Sequence, residues 1–148
     1  MRRSGDGDHT VRQRVLVIDD DTALCATIRE ALDEKYAVAS APHGAAALDL
    51  VRDHEPALIL LDLRMPIMDG WSFVQQYRRG AAAPARVVVM SGAPDLPNIA
   101  RQLGADGHLK KPFDLEELRA IVATELARRP SVRNESGRAD RSSSAPLT

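Results

Sequence analysis

Residues 58–70 read LILLDLRMPIMDG, and the opening of that stretch decides the fold. Leu58, Ile59, Leu60 and Leu61 are apolar at every position, not at alternate ones. A strand built from them is buried on both faces, as in the interior of a parallel sheet covered by helices. Asp62 then puts a carboxylate at the end of that strand, where burial is costly unless a partner meets it.

Working outward, short apolar runs recur at Val15–Ile18, Tyr36–Ala39, Ala57–Leu61, Val87–Met90 and Gly107–Leu109. Stretches of helical spacing separate them. Leu24, Ile28, Ala31 and Leu32 share one face behind Asp21, a suitable cap. Ala47, Leu48 and Val51 face inward in a second helix over Gly44–Asp53. Phe73, Val74 and Tyr77 do so in a third, after Asp69-Gly70, which reads as turn chemistry. A fourth helix over Asp95–Leu103 carries Pro94 and Pro97 near its start. The last opens on a capping box, Asp114 with Glu117, and continues through Leu115, Leu118, Val122 and Leu126. Five strands alternating with five helices predict an α/β fold, a doubly wound five-stranded parallel sheet with helices on both faces.

The chain has 148 residues, enough for one domain with a proper core, and is 44% hydrophobic, enough to offset the entropy of ordering. The expected division is a flexible leader over 1–13, the folded domain over 14–129, and a disordered tail over 130–148 beginning where Pro130 stops the last helix. The net charge of −1 hides an uneven spread. Arginines outnumber acids in both end segments, which leaves the central part acidic. Such a core repels phosphate backbones and attracts divalent cations, so no direct nucleic-acid binding is expected. One cysteine, Cys25, excludes an internal disulfide framework; it reads as packing on the first helix. No apolar run reaches the length of a membrane span, and the amino terminus lacks a secretory signal's apolar core. A cytoplasmic protein is expected.

Ligands of open α/β sheets bind at the carboxyl ends of the strands, so the residues there define the chemistry. After VLVI come Asp19, Asp20 and Asp21; after LILL comes Asp62; after VVVM come Ser91 and Gly92; after His108-Leu109 come Lys110, Lys111 and Pro112. Clustered carboxylates repel until one protonates or a cation joins them. Mg²⁺ suits an all-oxygen donor set, and a lysine ammonium and a serine hydroxyl can pair with phosphoryl oxygens. Asp62 alone would read equally well as a helix cap; the company it keeps on one edge favours chemistry. His9, His43 and His54 have no ligand-like spacing and are expected to be exposed. Trp71, just beyond the loop after Asp62, is expected to neighbour the site.

The series VLVIDDD, LILLDLRMPIMDG, VVVMSGAP and DGHLKKPF, in this order and spacing over about Arg14 to Arg128, resembles the receiver domain of two-component response regulators. The resemblance implies a flavodoxin-like sheet of strand order 2-1-3-4-5 and Asp62 as the phospho-acceptor. It implies Mg²⁺ held by Asp19, Asp20 and Asp62 and the backbone carbonyl of Arg64, with Asp20 the more direct of the first pair. Ser91 matches the hydroxyl that follows the phosphoryl group, and Lys111 the phosphate-pairing lysine, joined to Pro112 by a cis bond. Lys110 falls on the other face of its strand. Implied partners are a sensor histidine kinase or histidine phosphotransfer protein and an unidentified downstream protein, met by a monomer or weak dimer. The surface used for output would be the fourth helix, fifth strand and fifth helix.

Two departures from the family pattern matter. His108 stands where an aromatic switch residue is usual, so the Ser91–His108 switch gains a titratable member. Arg64 and Ala93 occupy positions that tune phosphate lifetime and provide no acid to position water, which implies slow self-dephosphorylation. With 19 residues after Arg129, a stand-alone receiver is expected, a signalling domain that catalyses only its own phosphorylation and dephosphorylation. Two rivals exist. One is a phosphorylation-independent interaction module of receiver fold. The other is a Mg²⁺-dependent phosphohydrolase, disfavoured because Arg64 stands where such enzymes need a second acid.

Overall fold

The computed structural model describes residues 12–64, 69–81 and 84–128. Five parallel strands, β1 (Arg14–Ile18), β2 (Ala37–Ala41), β3 (Leu58–Asp62), β4 (Arg86–Ser91) and β5 (Gly107–Lys110), lie in the order β2-β1-β3-β4-β5. They alternate with α1 (Thr22–Leu32), α2 (Gly44–His54), α3 (Gly70–Gly80), α4 (Leu96–Leu103) and α5 (Leu115–Ala127). This is the doubly wound sheet that the consecutive apolar runs predict.

Period-two alternation divides the apolar residues of the strands between two cores. Leu16, Ile18, Ile59, Leu61, Val87 and Val89 face α2, α3 and α4. Val15, Val17, Leu58, Leu60, Val88 and Met90 face α1 and α5. Fully burying one such side chain stabilises by about 1.5–3 kcal/mol, so β1, β3 and β4 are the rigid floor of the molecule. In the first core the rings of Phe73 and Tyr77 stack with centroids 5.7 Å apart. The Tyr77 hydroxyl, whose pKa burial pushes up, accepts a hydrogen bond from the Ala85 amide at 2.7 Å.

Local chemistry sets where each helix begins. Asp21 accepts from the Leu24 amide at 3.0 Å, as expected of a cap. The α5 capping box is complete, with Asp114 accepting from the Glu117 amide at 2.8 Å and Glu117 from the Asp114 amide at 2.9 Å. In α4, Pro97 occupies the first turn, where a missing N–H leaves nothing unsatisfied, so the prolines start the helix and do not break it.

Four sequence expectations need correction. β2, Ala37–Ala41, starts one residue later and ends two later than Tyr36–Ala39, because Ser40 and Ala41 pair with Val17 and Ile18 of β1. Leu115 is 36% exposed, since it stands in the first turn of α5 before the helix meets the sheet. Asp69-Gly70 is a helix start: Asp69 caps α3 through the Ser72 amide at 2.9 Å. Gly70 there answers a close approach, as a Cβ would lie 2.8 Å from Leu63 Cδ2 and 3.3 Å from Leu63 Cα. His43 and His54, expected to be exposed, are half-buried and hydrogen-bonded. His9, Pro130, most of the leader and the tail lie outside the described residues. Among the described residues no helix is long and apolar enough to cross a membrane.

Candidate functional site

Strand register brings the chemistry together. Ile18 pairs with Leu61 and Asp62 with Met90, so the residues after β1, at the end of β3 and at the end of β4 stand level. Ser91 pairs with Lys110, and the Lys111 amide donates to the Ser91 carbonyl at 2.9 Å, which adds the lysine to the same edge. The Lys111–Pro112 bond is cis.

Asp19 is 1% exposed, Asp62 5% and Ser91 7%, although all three are polar. Burial of this kind requires partners. Lys111 Nζ supplies them, lying 2.8 Å from Asp19 Oδ2 and 3.2 Å from Asp62 Oδ1. The other oxygen of Asp19 accepts from the Asp21 amide at 3.0 Å, which folds the loop after β1 around it. Cys25 donates its thiol to the Asp19 carbonyl at 3.3 Å, a packing role with a hydrogen bond added. Burial, then the charge of Asp19, pushes that thiol up to about 11, so it stays protonated near neutrality. The Ser91 hydroxyl accepts from the Ala93 amide at 3.1 Å and keeps its own proton to donate.

Charge in this cluster is not balanced. Asp62 has its pKa raised, first by burial and then by Asp19, against the opposing pull of Lys111 and a backbone hydrogen bond from Arg64. For Lys111 burial works against the charge, but the hydrogen bond to Asp19 and the charge of Asp62 outweigh it, and its pKa rises. One ammonium does not neutralise three carboxylates. Asp19, Asp20 and Asp62 offer oxygens within 4.8 Å of one another, with Asp20 exposed and the other two buried. This donor set fits Mg²⁺, a hard cation that accepts one or two carboxylates and keeps several waters. Because Asp19 already engages both oxygens, Asp20 and Asp62 carry the more open ones.

The remaining sequence candidates fall around this centre. Arg64 is exposed beyond the end of β3, and Gly92 is exposed with open space around it except for the Lys111 carbonyl, 3.6 Å from an added Cβ. His108 is exposed on β5, opposite Val89, and outside the buried cluster. Lys110 is exposed while Lys111 is half-buried. Trp71, 43% exposed, stands in the first turn of α3, the helix that begins at this edge.

A second charged cluster, which the sequence reading missed, lies at the opposite edge. Arg86 Nη1 lies 3.3 Å from Asp106 Oδ1 and 3.6 Å from Glu125 Oε1, and Arg128 Nη1 lies 3.2 Å from Glu125 Oε1. Asp106 Oδ2 also accepts from the Val87 amide at 2.8 Å. The available signal was spacing: Leu118, Val122 and Glu125 share one helical face, so a carboxylate stands on the core side of α5.

A parallel sheet of order 2-1-3-4-5 with an acidic trio and a lysine at its carboxyl edge defines a phosphoryl-receiver class of α/β protein. Residues 15–123 match the response regulator receiver domain, and the chain belongs to that family. Among curated relatives it is 37% identical over 117 residues to response regulator MprA of Mycobacterium sp. (strain KMS), covering 78% of this chain and 51% of that one. It is 32% identical over 115 residues to sporulation initiation phosphotransferase F of Bacillus subtilis, covering 76% of this chain and 92% of that one. The chain thus spans about half the length of the MprA-type relatives. Among solved structures, a two-component response regulator from Clostridium difficile aligns with a TM-score of 0.72 and 28% identity, over 81% of this chain and 100% of that one. The receiver domain of a LuxO-type repressor from Vibrio parahaemolyticus aligns at 0.71 and 30%, over 78% and 91%. Receiver domains of response regulators are phospho-acceptor signalling domains that interact with histidine kinases or phosphotransfer proteins.

Proposed function

We propose that this receiver accepts a phosphoryl group on Asp62 from a phosphohistidine of a sensor kinase or phosphotransfer protein, with Mg²⁺ held by Asp20, Asp62, Asp19 and the Arg64 backbone carbonyl. The observation that carries the proposal is the tie from Lys111 Nζ to both buried carboxylates, at 2.8 and 3.2 Å, beside the exposed Asp20. In the transfer an Asp62 carboxylate oxygen forms a bond to phosphorus as the phosphorus–nitrogen bond breaks, and the electron pair returns to the donor imidazole. Burial beside Asp19 makes the Asp62 carboxylate a stronger base, hence a stronger nucleophile once ionised. Lys111 holds the oxygens in place and pairs with charge on the group that arrives, and the Ser91 hydroxyl donates to a further oxygen. A bound Mg²⁺ supplies the remaining positive charge.

Arg64 and Ala93 place no acid or amide where water would be activated, so we expect the aspartyl phosphate to persist. Output would run through α4, β5 and α5, with Ser91 at the end of β4 and His108 on the adjoining β5. A receiver that signals through its own surface is proposed by likeness to sporulation initiation phosphotransferase F, covered over 92% of its length, although the MprA-type regulators are covered over about half of theirs. The acidic middle of the chain argues for protein partners over nucleic acid, and a reducing, cytoplasmic setting fits a lone buried thiol.

Trp71 provides the test. Beryllofluoride with Mg²⁺, which mimics the aspartyl phosphate, should change Trp71 fluorescence in the wild type and leave Asp62→Asn unchanged. Equal responses in the two proteins would overturn the assignment of Asp62. Silence in both would favour the phosphorylation-independent module.

A further inference from the structure

Among the described residues, α2 is the one helix whose side-chain cap is an imidazole. His43 has extended backbone, φ −159° and ψ 171°, and its Nδ1 accepts a hydrogen bond from the Ala46 amide at 3.1 Å. The donor in this contact is a backbone N–H, so Nδ1 must carry a lone pair; the proton of the neutral ring is on Nε2. The caps of α1, α3 and α5 are the carboxylates Asp21, Asp69 and Asp114, whose ionised form is acceptor-only. A doubly protonated imidazole donates from both nitrogens and cannot accept. It would also set a positive charge against the positive end of the helix. The first turn of α2 contains no acidic residue to compensate.

The other end of the same helix has the opposite chemistry. His54 Nε2 lies 3.2 Å from the Val15 carbonyl, an acceptor that a protonated ring satisfies as well as a neutral one. There the helix dipole favours the cation. Protonation therefore acts on α2 unequally, loosening its start and leaving its end in place.

We propose that His43 is a pH-sensitive helix cap: when the ring takes up a proton, the bond to Ala46 is lost and the first turn of α2 opens. The opening turn is attached to the candidate site, because the Asp19 amide donates to the Ala41 carbonyl at 3.1 Å, two residues before His43. α2 packs against β1, β2 and α3. Of these, β2 has no charged residue. Asp19, Asp20 and Asp21 follow β1, and Asp69 caps α3, at the edge where His43 sits. Arg14 opens β1, and Tyr77, Arg78 and Arg79 close α3, toward the other edge. On α2 itself Asp49, Arg52, Asp53 and His54 follow, with Glu55 just after.

The experiment is hydrogen exchange of the full chain with its site residues intact, with intrinsic rates divided out, from pH 8 to pH 5. This span brackets the ordinary range of imidazole side chains in general and lies above the ordinary carboxylate range. Opening at Ala46 and Ala47 should increase about fivefold in the wild type, the factor that loss of a typical cap produces. Exchange at Glu117, behind the Asp114 cap, should stay flat. His43→Asn, which caps without titrating, should abolish the increase, and His54→Gln should retain it. A flat wild-type profile, an increase that survives His43→Asn, or one that disappears with His54→Gln would each overturn the proposal.

Discussion

At the carboxyl edge of the sheet three carboxylates, Asp19, Asp20 and Asp62, meet one ammonium, Lys111. At the opposite edge, among the described residues, two carboxylates, Asp106 and Glu125, meet two guanidinium groups, Arg86 and Arg128. Each cluster has a buried centre with one exposed member, Asp20 in the first and Arg128 in the second, and both are tied to β4 or its neighbours. The balanced one holds α5 against β4 and β5. The unbalanced one carries excess negative charge that a proton or a cation can relieve, and for that reason the proposed chemistry is assigned to it.

The largest effect that would break this contrast is expected at the balanced edge. Glu125→Ala removes a carboxylate that Arg86 and Arg128 share. A loss of about 3 kcal/mol is expected for breaking such a buried pair. Urea unfolding at neutral pH measures it, and a change below about 1 kcal/mol would show the edge to be ornamental.

A smaller effect of opposite sign is expected at the site. Burial and Asp19 raise the pKa of Asp62, so the folded state holds that proton more tightly than the unfolded chain does. The contribution of Asp62 to stability is therefore greatest below the ordinary carboxylate range and is lost as pH rises through its folded-state value. Without Mg²⁺ at neutral pH the ionised group opposes folding. Asp62→Asn should raise Tm by about 4 °C there, as about 1 kcal/mol does in a domain of this size. The gain should shrink as pH falls through the raised folded-state value of Asp62, where the wild-type carboxyl takes up its proton. A lowered Tm at neutral pH would mean that the pairing with Lys111 outweighs the repulsion.

The finest comparison follows α5 as it runs from one edge to the other. Leu115, exposed in the first turn, should change stability by less than about 0.5 kcal/mol when replaced by Ala, as ordinary surface positions do. A larger loss would place it in the core after all.

Much of this was legible in the sequence because it depends on local pattern. Consecutive apolar residues marked β1, β3 and β4, and their carboxyl ends named the site before any strand was paired. Asp21 and the Asp114–Glu117 box were legible as caps because the donors and acceptors lie within three residues. The balanced cluster was not legible as a unit: Arg86, Asp106 and Glu125 lie about twenty residues apart, and only folding brings them together. His43 was missed for a different reason. Histidine is a rare cap, so its place before Gly44-Ala45-Ala46 gave no warning that the ring nitrogen would accept. β2 was misplaced because AVASA is small and weakly apolar, and its register is set by β1.

The central claim is that Asp62 is the phosphoryl acceptor of an acidic, cation-dependent site. The direct measurement is intact mass after incubation with Mg²⁺ and acetyl phosphate. The account predicts one added phosphoryl unit on the wild type, and none on Asp62→Asn or when Mg²⁺ is chelated. An equal adduct on Asp62→Asn, or none on the wild type while a related receiver in the same tube is labelled, would contradict it.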